Sequence, residues 1–367
     1  MTKIRKIEVF PLTIPYREVS RLSYGIEAET NNVIVKIYAE GGVVGFGESC
    51  AIKKEMQSTV LNDLFKTCPK LIGMGSFGIA VIHDKMDEIV PDHNHGPGKA
   101  AIDMALYDIM GKLARQPVYN LIGGCYRRDI PTQHALFVKE PEEMAAEAKS
   151  LMQEGYTIFE IKLGGEPEKD IERARRIREA VGKDVVMIID PNQGWTPQES
   201  IYCLKQMRGL DVICEEPTAG IDGLAEVHRA VDTPLVVDQS APTPKDVIEV
   251  VRKKAGDMMN IKIQSAGGIY PSLKITSICE AAGMKYRIDD GPVSRIGNTA
   301  SAHFAAASRD IVGCGVAQHT FLDAKTVDLI SEDGVRIERG VGIVPSGYGL
   351  GITVKDDLLR SPKKVFA

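Results

Sequence analysis

Residues 158–190, IFEIKLGGEPEKDIERARRIREAVGKDVVMIID, decide the fold of this 367-residue chain. The segment contains two short apolar runs, Ile158–Leu163 and Val185–Asp190, which are separated by the charged helical pattern Glu168–Val181. A strand, a helix and a second strand in that order are typical of a parallel β-α-β unit. The segment therefore predicts an α/β fold that is built on a parallel sheet.

The same alternation continues on both sides of this segment, with further helical patterns at residues 197–207, 225–231, 245–253, 271–282 and 299–307. Eight apolar runs, each followed by a helical segment, predict a closed (β/α)8 TIM-type barrel over residues 126–342. An open doubly wound sheet is the alternative, but neither GxGxxG nor GxxxxGK[ST] follows any run. The other six runs are His134–Val138, Val212–Glu216, Leu235–Asp238, Met258–Ile263, Tyr286–Asp290 and Ile311–Gln318.

Residues 1–125 have a different pattern. Ile4–Ile14 and Asn32–Tyr38 alternate or are rich in β-branched residues, as strands are, and Lys99–Leu113 has the apolar spacing of an amphipathic helix. Strands followed by helices indicate an α+β module. We expect this module, completed by the Gly-rich tail 343–367, to form a capping domain over the mouth of the barrel.

Composition excludes several classes of protein. The net charge is −5 with no basic stripe, so neither nucleic acid nor an anionic membrane surface is an expected partner. No run approaches the roughly 18 apolar residues of a membrane span, and the N-terminus lacks a signal-peptide pattern. Seven cysteines without a CxxC pair argue against a disulfide framework or a zinc site. The expected compartment is the cytoplasm.

Five predicted strands end in a charged residue that could carry chemistry: Lys162, Asp190, Glu215, Asp238 and Lys262. The steps between them are 28, 25, 23 and 24 residues, about the length of one β-α unit. They therefore lie on consecutive strands at the C-terminal end, where barrel enzymes place their active sites. A single strand-end aspartate usually caps the next helix. Lysine does not cap helices in this way. Five charged residues at the same place in successive β-α units therefore indicate a functional site rather than helix caps.

Three carboxylates that converge on one point repel one another unless a hard cation lies between them, and oxygen ligands suit Mg²⁺. We therefore expect Mg²⁺ on Asp190, Glu215 and Asp238. Lys162 and Lys262 flank this cluster, and a lysine near a cation can act as a base. The arrangement predicts removal of the proton α to a substrate carboxylate, through an enediolate, with one lysine on each face of the substrate.

The chain resembles the enolase superfamily, in its mandelate racemase/muconate lactonizing enzyme group and the muconate-type branch with a lysine on each side. The resemblance implies the same metal ligands and acid/base lysines, and specificity from cap loops near residues 20–25, which include Tyr24, and 48–53. Asn192 belongs to one of its motifs. These motifs are EIKLG (160–164), IDPNQGW (189–195), EEP (215–217), VDQS (237–240), NIKIQSAGG (260–268), GFGE (45–48), AIDMALYDIMG (101–111) and LIGG (121–124).

Three residues depart from the family pattern. Glu160 replaces the first lysine of a Lys-x-Lys motif, and a carboxylate on the same strand face favours a charged Lys162. Gln239 stands where the family usually has Glu. Asp289 and Asp290 end the seventh strand and, with the His93-Asn94 loop, resemble the branch of hydroxyproline-betaine epimerases and hydroxyproline dehydratases. A carboxylate there would pair with a substrate ammonium.

The predicted activity is that of a Mg²⁺-dependent racemase or epimerase of an amino-acid derivative, for which a proline- or betaine-like substrate is one possibility. Substrate contacts are expected from Asp289, Asp290, Tyr24, Asn192 and Glu160. A dehydratase or a muconate-type cycloisomerase on the same site is the alternative, and a ligand-binding barrel without catalysis is the alternative outside enzymes. The expected partner is a small carboxylate substrate, and the expected assembly is a homo-oligomer.

Overall fold

The computed structural model describes residues 2–91, 96–331, 333–355, 359 and 361–367. The His93-Asn94 loop that the sequence analysis singled out lies outside the described residues. In chain order, the strands are β1 (Ile4–Leu22), β2 (Gly25–Ala39), β3 (Val44–Ser49), β4 (Asp129–Pro131), β5 (His134–Leu136), β6 (Ile158–Lys162), β7 (Val186–Asp190), β8 (Val212–Glu215), β9 (Leu235–Val237), β10 (Met258–Lys262), β11 (Lys285–Asp289), β12 (Ile311–Cys314), β13 (Arg336–Glu338), β14 (Val341–Ile343) and β15 (Lys364–Phe366).

The α-helices connect and cover these strands. In chain order they are α1 (Lys54–Leu71), α2 (Ile79–Ile89), α3 (Gly96–Ala114), α4 (Val118–Leu121), α5 (Pro141–Gln153), α6 (Pro167–Val181), α7 (Pro197–Gln206), α8 (Ile221–Ala230), α9 (Pro244–Lys253), α10 (Ile263–Ala266), α11 (Ile269–Ala281), α12 (Arg295–Ala307) and α13 (Ala324–Ile330). No helix in the described part of the chain is both long and apolar enough to cross a membrane.

Eight parallel strands, in the order β5 to β12, form the barrel that the sequence predicts, and each predicted apolar run overlaps with one of them. A backbone hydrogen bond of 2.8 Å from Gln133 N–H to the carbonyl of Cys314 links the two edges of this sheet. Apolar residues of the strands, such as Phe159, Ile161 and Ile189, are fully buried. The (β/α)8 fold is confirmed.

Local sequence signals start the barrel helices. Thr196 and Thr243 each accept a hydrogen bond from the backbone N–H three residues later, and a proline at the first helical position follows each of them. Helix α12 begins at Arg295, four residues before the predicted start, because the Ser294 hydroxyl caps it by accepting from Ile296 N–H. The observed helix start therefore differs from the predicted one where the capping residue lies in a polar stretch.

The N-terminal region forms an antiparallel sheet in the order β15, β1, β2, β3. Helix α3 packs closely on β3, since a Cβ atom at Gly45 or Gly47 would lie 2.1 or 1.9 Å from a backbone oxygen of the helix. The expected cap loop at residues 20–25 is the end of β1, a two-residue turn and the start of β2. This hairpin and the region after β3 lie over the C-terminal ends of the barrel strands.

The C-terminal tail contributes to the N-terminal sheet. Phe366 pairs with Ile7, and its ring lies 6.1 Å from that of Phe65 on α1. Where the tail begins, Val341–Ile343 pairs with β4 at the start of the barrel region. The division into a capping domain of residues 1–125 with 343–367 and a barrel domain of residues 126–342 stays a prediction.

Candidate active site

A cavity of about 380 Å³ lies between the C-terminal ends of the barrel strands and the N-terminal region. Of the ten side chains that the sequence analysis singled out, eight line it, whereas Asp190 and Glu215 are fully buried behind its wall. The eight are Tyr24, Glu160, Lys162, Asn192, Asp238, Lys262, Asp289 and Asp290. The fold therefore brings the predicted residues together at one site.

Lys162 is held between two carboxylates. Its Nζ lies 2.6 Å from Glu160 Oε1 and 2.6 Å from Asp190 Oδ2, its direct neighbour on β7. Burial alone would lower the pKa of Lys162, but the charges of Asp190 and Glu160 outweigh this effect and raise it well above its usual value. As the sequence analysis expected, Glu160 favours the charged form of Lys162.

Lys262 lies on β10, and its Nζ forms an ion pair with Asp238 at the end of β9. Burial opposes its charge, but Asp238 and Asp289 raise the pKa of this lysine above its usual range. Lys162 and Lys262 are four strands apart in an eight-stranded barrel, on β6 and β10. They therefore extend into the cavity from opposite sides.

Asp190, Glu215 and Asp238 form a cluster of buried carboxylates, and each of them is paired with one side-chain cation. Each is at most 5% exposed. Burial is the largest cause of their raised pKa values, and repulsion from neighbouring carboxylates adds to it, so the pKa of Asp238 rises to about 6. An oxygen-only donor set of this kind suits a hard divalent cation such as Mg²⁺. The residues present fit the predicted metal.

A second set of carboxylates overlaps with the first. Ligand oxygens of Glu160, Glu215 and Asp289 are all within 4.8 Å of one another. The guanidinium of the fully buried Arg287 donates to Glu215 and to Gln133, and its Nη2 lies 3.7 Å from Asp289. Arg287 therefore already compensates much of this negative charge, and Glu215 belongs to both sets.

Arg287 and Asn260 are not among the predicted site residues, although the sequence carries a signal for both. They lie two residues before Asp289 and Lys262 on their strands, and alternate residues of a strand face the same side. Asn260 donates to Glu215 Oε1 at 2.6 Å, so Asn260 and Arg287 together orient this carboxylate. Counting back along the inward face of each strand would have identified both.

Glu216 follows Glu215 directly but makes different contacts, to the segment that follows β9. Its backbone has a φ of 40°, an uncommon value for a residue other than glycine. Its side chain accepts hydrogen bonds from the backbone N–H groups of Asp238 at 2.6 Å and Ser240 at 2.9 Å. Glu216 therefore holds the end of β9, and with it Asp238, in position.

Residues that line the cavity carry several buried acceptor atoms without hydrogen-bond partners in the described structure. Among the described residues, five buried side-chain atoms have no hydrogen-bond partner, and four of these are oxygens of residues that line the cavity. Buried polar groups in proteins are nearly always paired, so unpaired acceptors mark a place where a ligand or a cation belongs. The four oxygens are Glu27 Oε1, Asn192 Oδ1, Asn260 Oδ1 and Asp290 Oδ1.

Two family models match this chain along most of its length. Residues 5–123 match the mandelate racemase/muconate lactonizing enzyme N-terminal domain, and residues 143–358 match the enolase C-terminal domain-like family. N-succinyl-L-Arg/Lys racemase from Bacillus cereus is 34% identical, with 84% of this chain and 85% of the relative covered. Cis-3-hydroxy-L-proline dehydratase from Roseibium aggregatum is 30% identical, with 98% of both chains covered.

Solved structures agree with the sequence comparisons. A dipeptide epimerase from Cytophaga hutchinsonii, complexed with Mg and the dipeptide D-Ala-L-Val, superposes with a TM-score of 0.93 and 29% sequence identity, and all of both chains is covered. Both parts of the fold are therefore shared with known enzymes. This chain belongs to the mandelate racemase/muconate lactonizing enzyme family of the enolase superfamily.

Proposed function

We propose that the protein is a Mg²⁺-dependent racemase or epimerase of an amino-acid derivative, which removes and returns the proton α to a carboxylate. The observation that carries this proposal is the pair of partly buried lysines, Lys162 and Lys262. They enter one cavity from opposite sides, and each contacts a different carboxylate of the buried cluster. Inversion at one carbon needs a base on one face and an acid on the other.

Asp190, Glu215 and Asp238 would hold the Mg²⁺. When bound, the ion would supply positive charge to the substrate carboxylate and to the enediolate that forms when the α-proton leaves. Asn260 and Arg287 orient Glu215, and Glu216 supports Asp238, so the protein prepares these carboxylates in advance. Fixed carboxylates lose little entropy when a cation binds.

Lys162 and Lys262 would exchange the α-proton. Both lysines are charged while they are paired with Asp190 and Asp238, and a cation bound to these carboxylates would lower the pKa of the lysines. In one direction the lysine that has become neutral accepts the proton, and the ammonium of the other donates a proton to the opposite face of the carbon. In the reverse direction the two lysines swap roles. Glu160 contributes by holding the ammonium of Lys162 in place rather than by contacting the reacting carbon.

Of the two predicted aspartates, Asp290 is the better candidate to bind a substrate ammonium. Asp289 accepts from Gln318, from Gln133 and from the backbone N–H of Asp290, so both of its oxygens are engaged. Asp290 keeps Oδ1 without a partner in the described structure and lines the cavity. Asn192 and Tyr24 also line it and would complete the contacts to substrate.

A dehydratase is the second candidate, because one curated relative is named as a dehydratase of a hydroxyproline. Dehydration starts with the same proton removal but needs a leaving group on the β-carbon and only one base. The racemase is favoured because both lysines are present and the first relative reported above is a racemase. The homo-oligomeric assembly and cytoplasmic location stay predictions.

The test is α-proton exchange in D2O, followed by NMR, with Mg²⁺ and a panel of N-acyl amino acids, dipeptides and cyclic amino acids of both configurations. A racemase exchanges the α-proton and forms the opposite isomer. A dehydratase forms an unsaturated product or its keto acid from β-hydroxy members only. Absence of exchange across the whole panel would overturn the proposed activity in favour of a ligand-binding barrel.

A further inference from the structure

Two buried aspartates, Asp103 and Asp170, accept backbone hydrogen bonds from the chain segments that follow the two lysines of the site. Asp103 lies on α3 in the N-terminal region, and Asp170 lies on α6 of the barrel. Both are fully buried, and neither lines the cavity or has a role in the reaction described above. A buried carboxylate must be stabilised by hydrogen donors, and here those donors belong to the backbone beside the site.

Asp170 holds the segment that follows Lys162. Three consecutive backbone N–H groups, those of residues 164–166, donate to its carboxylate at 2.9, 3.0 and 3.1 Å. The side chain of Asp170 is fixed in turn by Arg173, whose Nη1 donates to Oδ1 at 2.6 Å. These contacts determine the path of the chain from the second residue after Lys162, where it leaves β6.

Asp103 holds the segment that follows Lys262. Its Oδ1 accepts from Ile269 N–H at 2.6 Å, and its Oδ2 accepts from Tyr270 N–H at 3.3 Å, at the start of α11. The Nε2 of His83 on α2 lies 2.8 Å from Oδ2, which fixes the orientation of the carboxylate. This contact therefore joins the N-terminal region to the barrel, whereas the contacts of Asp170 lie within the barrel.

A short segment, residues 263–268, connects the contact of Asp103 to Lys262. Its two ends are bonded to each other, since Gly268 N–H donates to the carbonyl of Ile263 at 2.7 Å. A Cβ atom at Gly268 would lie 2.3 Å from Asp103 Cγ, so this close approach requires glycine. The pairing of β10 with β9 ends three residues before Lys262. Asp103 therefore supports the chain where the sheet supports it on one side only.

We propose that Asp103 and Asp170 are positioning residues, each of which fixes the lysine on one face of the substrate. Asp103 positions Lys262, and Asp170 positions Lys162. The proposal rests on the proposed function, in which each lysine exchanges the α-proton of one isomer. A displacement of about 1 Å at a reacting group can reduce its rate on the order of 100-fold. Loss of either aspartate should therefore impair one face of the reaction and spare the other.

The experiment measures α-proton exchange in D2O, with Mg²⁺, for each pure isomer of one amino-acid derivative that the wild-type protein turns over. Lys262→Ala and Lys162→Ala first identify which isomer depends on which lysine. The quantity compared is the exchange rate of the Lys262-dependent isomer divided by that of the Lys162-dependent isomer. In Asp103→Ala this ratio should fall on the order of 10- to 100-fold, and in Asp170→Ala it should rise by a similar factor.

Two further variants separate positioning from general damage to the fold. Asp108→Ala removes another fully buried carboxylate of α3, which accepts from the backbone N–H groups of Phe46 and Leu350. It should change both exchange rates alike and keep the ratio. Asp103→Asn keeps the size of the side chain and one acceptor oxygen, so its ratio should lie between those of Asp103→Ala and the wild-type protein. This variant carries the test if Asp103→Ala does not fold.

An unchanged ratio in the variants of either aspartate, or a shift in the same direction for both, overturns the proposal and leaves the exchange activity in place. A weaker affinity for Mg²⁺ would lower both rates and cancel in the ratio.

If the wild-type protein exchanges the α-proton of no compound, backbone hydrogen–deuterium exchange is measured by mass spectrometry over residues 163–167 and 263–271. Faster exchange that is confined to 263–271 in Asp103→Ala and to 163–167 in Asp170→Ala supports the separate positioning of the two segments, although the proposed reaction has then failed. Faster exchange in both segments of either variant, or in neither, overturns the proposal as well.

Discussion

Lys162 and Glu160 form an ion pair with 2.6 Å between Nζ and Oε1, two residues apart on one face of β6. The pair does not turn Lys162 away from the site, since the same ammonium contacts Asp190 and lines the cavity. Burial would raise the pKa of Glu160, but Lys162 and Arg287 lower it to about 2. Glu160 is therefore a fixed negative charge, and Lys162 stays available to the substrate.

The two lysines are expected to have separate stereochemical roles. Lys162→Ala and Lys262→Ala should each reduce racemisation by roughly 10²- to 10⁴-fold, because each removes one acid/base group. Each variant should still exchange the α-proton of one isomer, and a different isomer in the two cases. NMR in D2O with each pure isomer measures this directly. Undiminished racemisation by both variants would contradict the two-base mechanism.

Removing one carboxylate of the cluster should weaken Mg²⁺ binding. Asp190→Asn keeps the shape of the side chain but loses its charge, so calorimetric titration should show a weaker affinity for Mg²⁺, and activity should fall. Asp232→Asn is the matched control, because its side chain is 91% exposed and precedes β9, whereas Asp238 follows that strand. Equal Mg²⁺ affinity in Asp190→Asn and the wild-type protein would show that the metal binds elsewhere.

Arg287 is predicted to stabilise the barrel strongly. Arg287→Met leaves two buried carboxylates, Glu215 and Asp289, without their guanidinium, and breaking a buried ion pair in this way costs roughly 3–5 kcal/mol. Denaturant titration measures the loss, which Arg287→Lys should partly restore. Arg252→Met is the control, because that side chain is 68% exposed, and its loss should change stability by less than about 0.5 kcal/mol. Similar stabilities for Arg287→Met and Arg252→Met would contradict this account.

Stability should fall in mild acid through buried histidines. The Nδ1 of His303 accepts from Tyr119 N–H, its Nε2–H donates to the carbonyl of Leu350, and burial lowers its pKa to about 4. The unfolded chain binds a proton near pH 6.5 and the folded chain does not. The contribution of His303 to the free energy of unfolding is therefore complete above pH 6.5. It is lost progressively as the pH falls towards 4, and the loss is about 2 kcal/mol at pH 5.

The His303→Gln variant tests this dependence. The difference in the free energy of unfolding between pH 7.5 and pH 5 should be smaller in the variant than in the wild-type protein, again by about 2 kcal/mol. The wild-type protein should show a larger total loss, because burial also lowers the pKa of His134 to about 4 and of His319 to about 3. An identical pH dependence in the variant and the wild-type protein would exclude His303 as a contributor.

The C-terminal strand is expected to stabilise the N-terminal sheet. Phe366→Ala removes the ring that packs near Phe65 and should cost about 1–2 kcal/mol, which is less than for a fully buried ring. Val365→Ala on the same strand is the control, because Val365 is 47% exposed and should contribute little. Thermal melting compares the two variants. If both have the wild-type midpoint, the tail is not part of the capping unit.

The barrel and the five strand-end residues were predictable because both depend on local periodicity. Apolar runs and helical segments alternate with the length of one β-α unit, and the last residue of each parallel strand points to the same end of the sheet. Lys162 and Asp238 could therefore be placed at one site without knowledge of any contact. The helix starts were less accurate, because caps such as Ser294 lie within polar stretches.

By itself, the sequence determined the order of the elements, the end of the barrel that carries chemistry and the residue types found there. The tertiary structure alone decided which charges compensate one another and which acceptors are left unpaired. Arg287 reaches Glu215 across 72 residues of sequence, and Glu27 faces the cavity from another sheet. Side-chain direction along a strand is a local property, whereas burial and charge pairing depend on which distant elements the fold packs together.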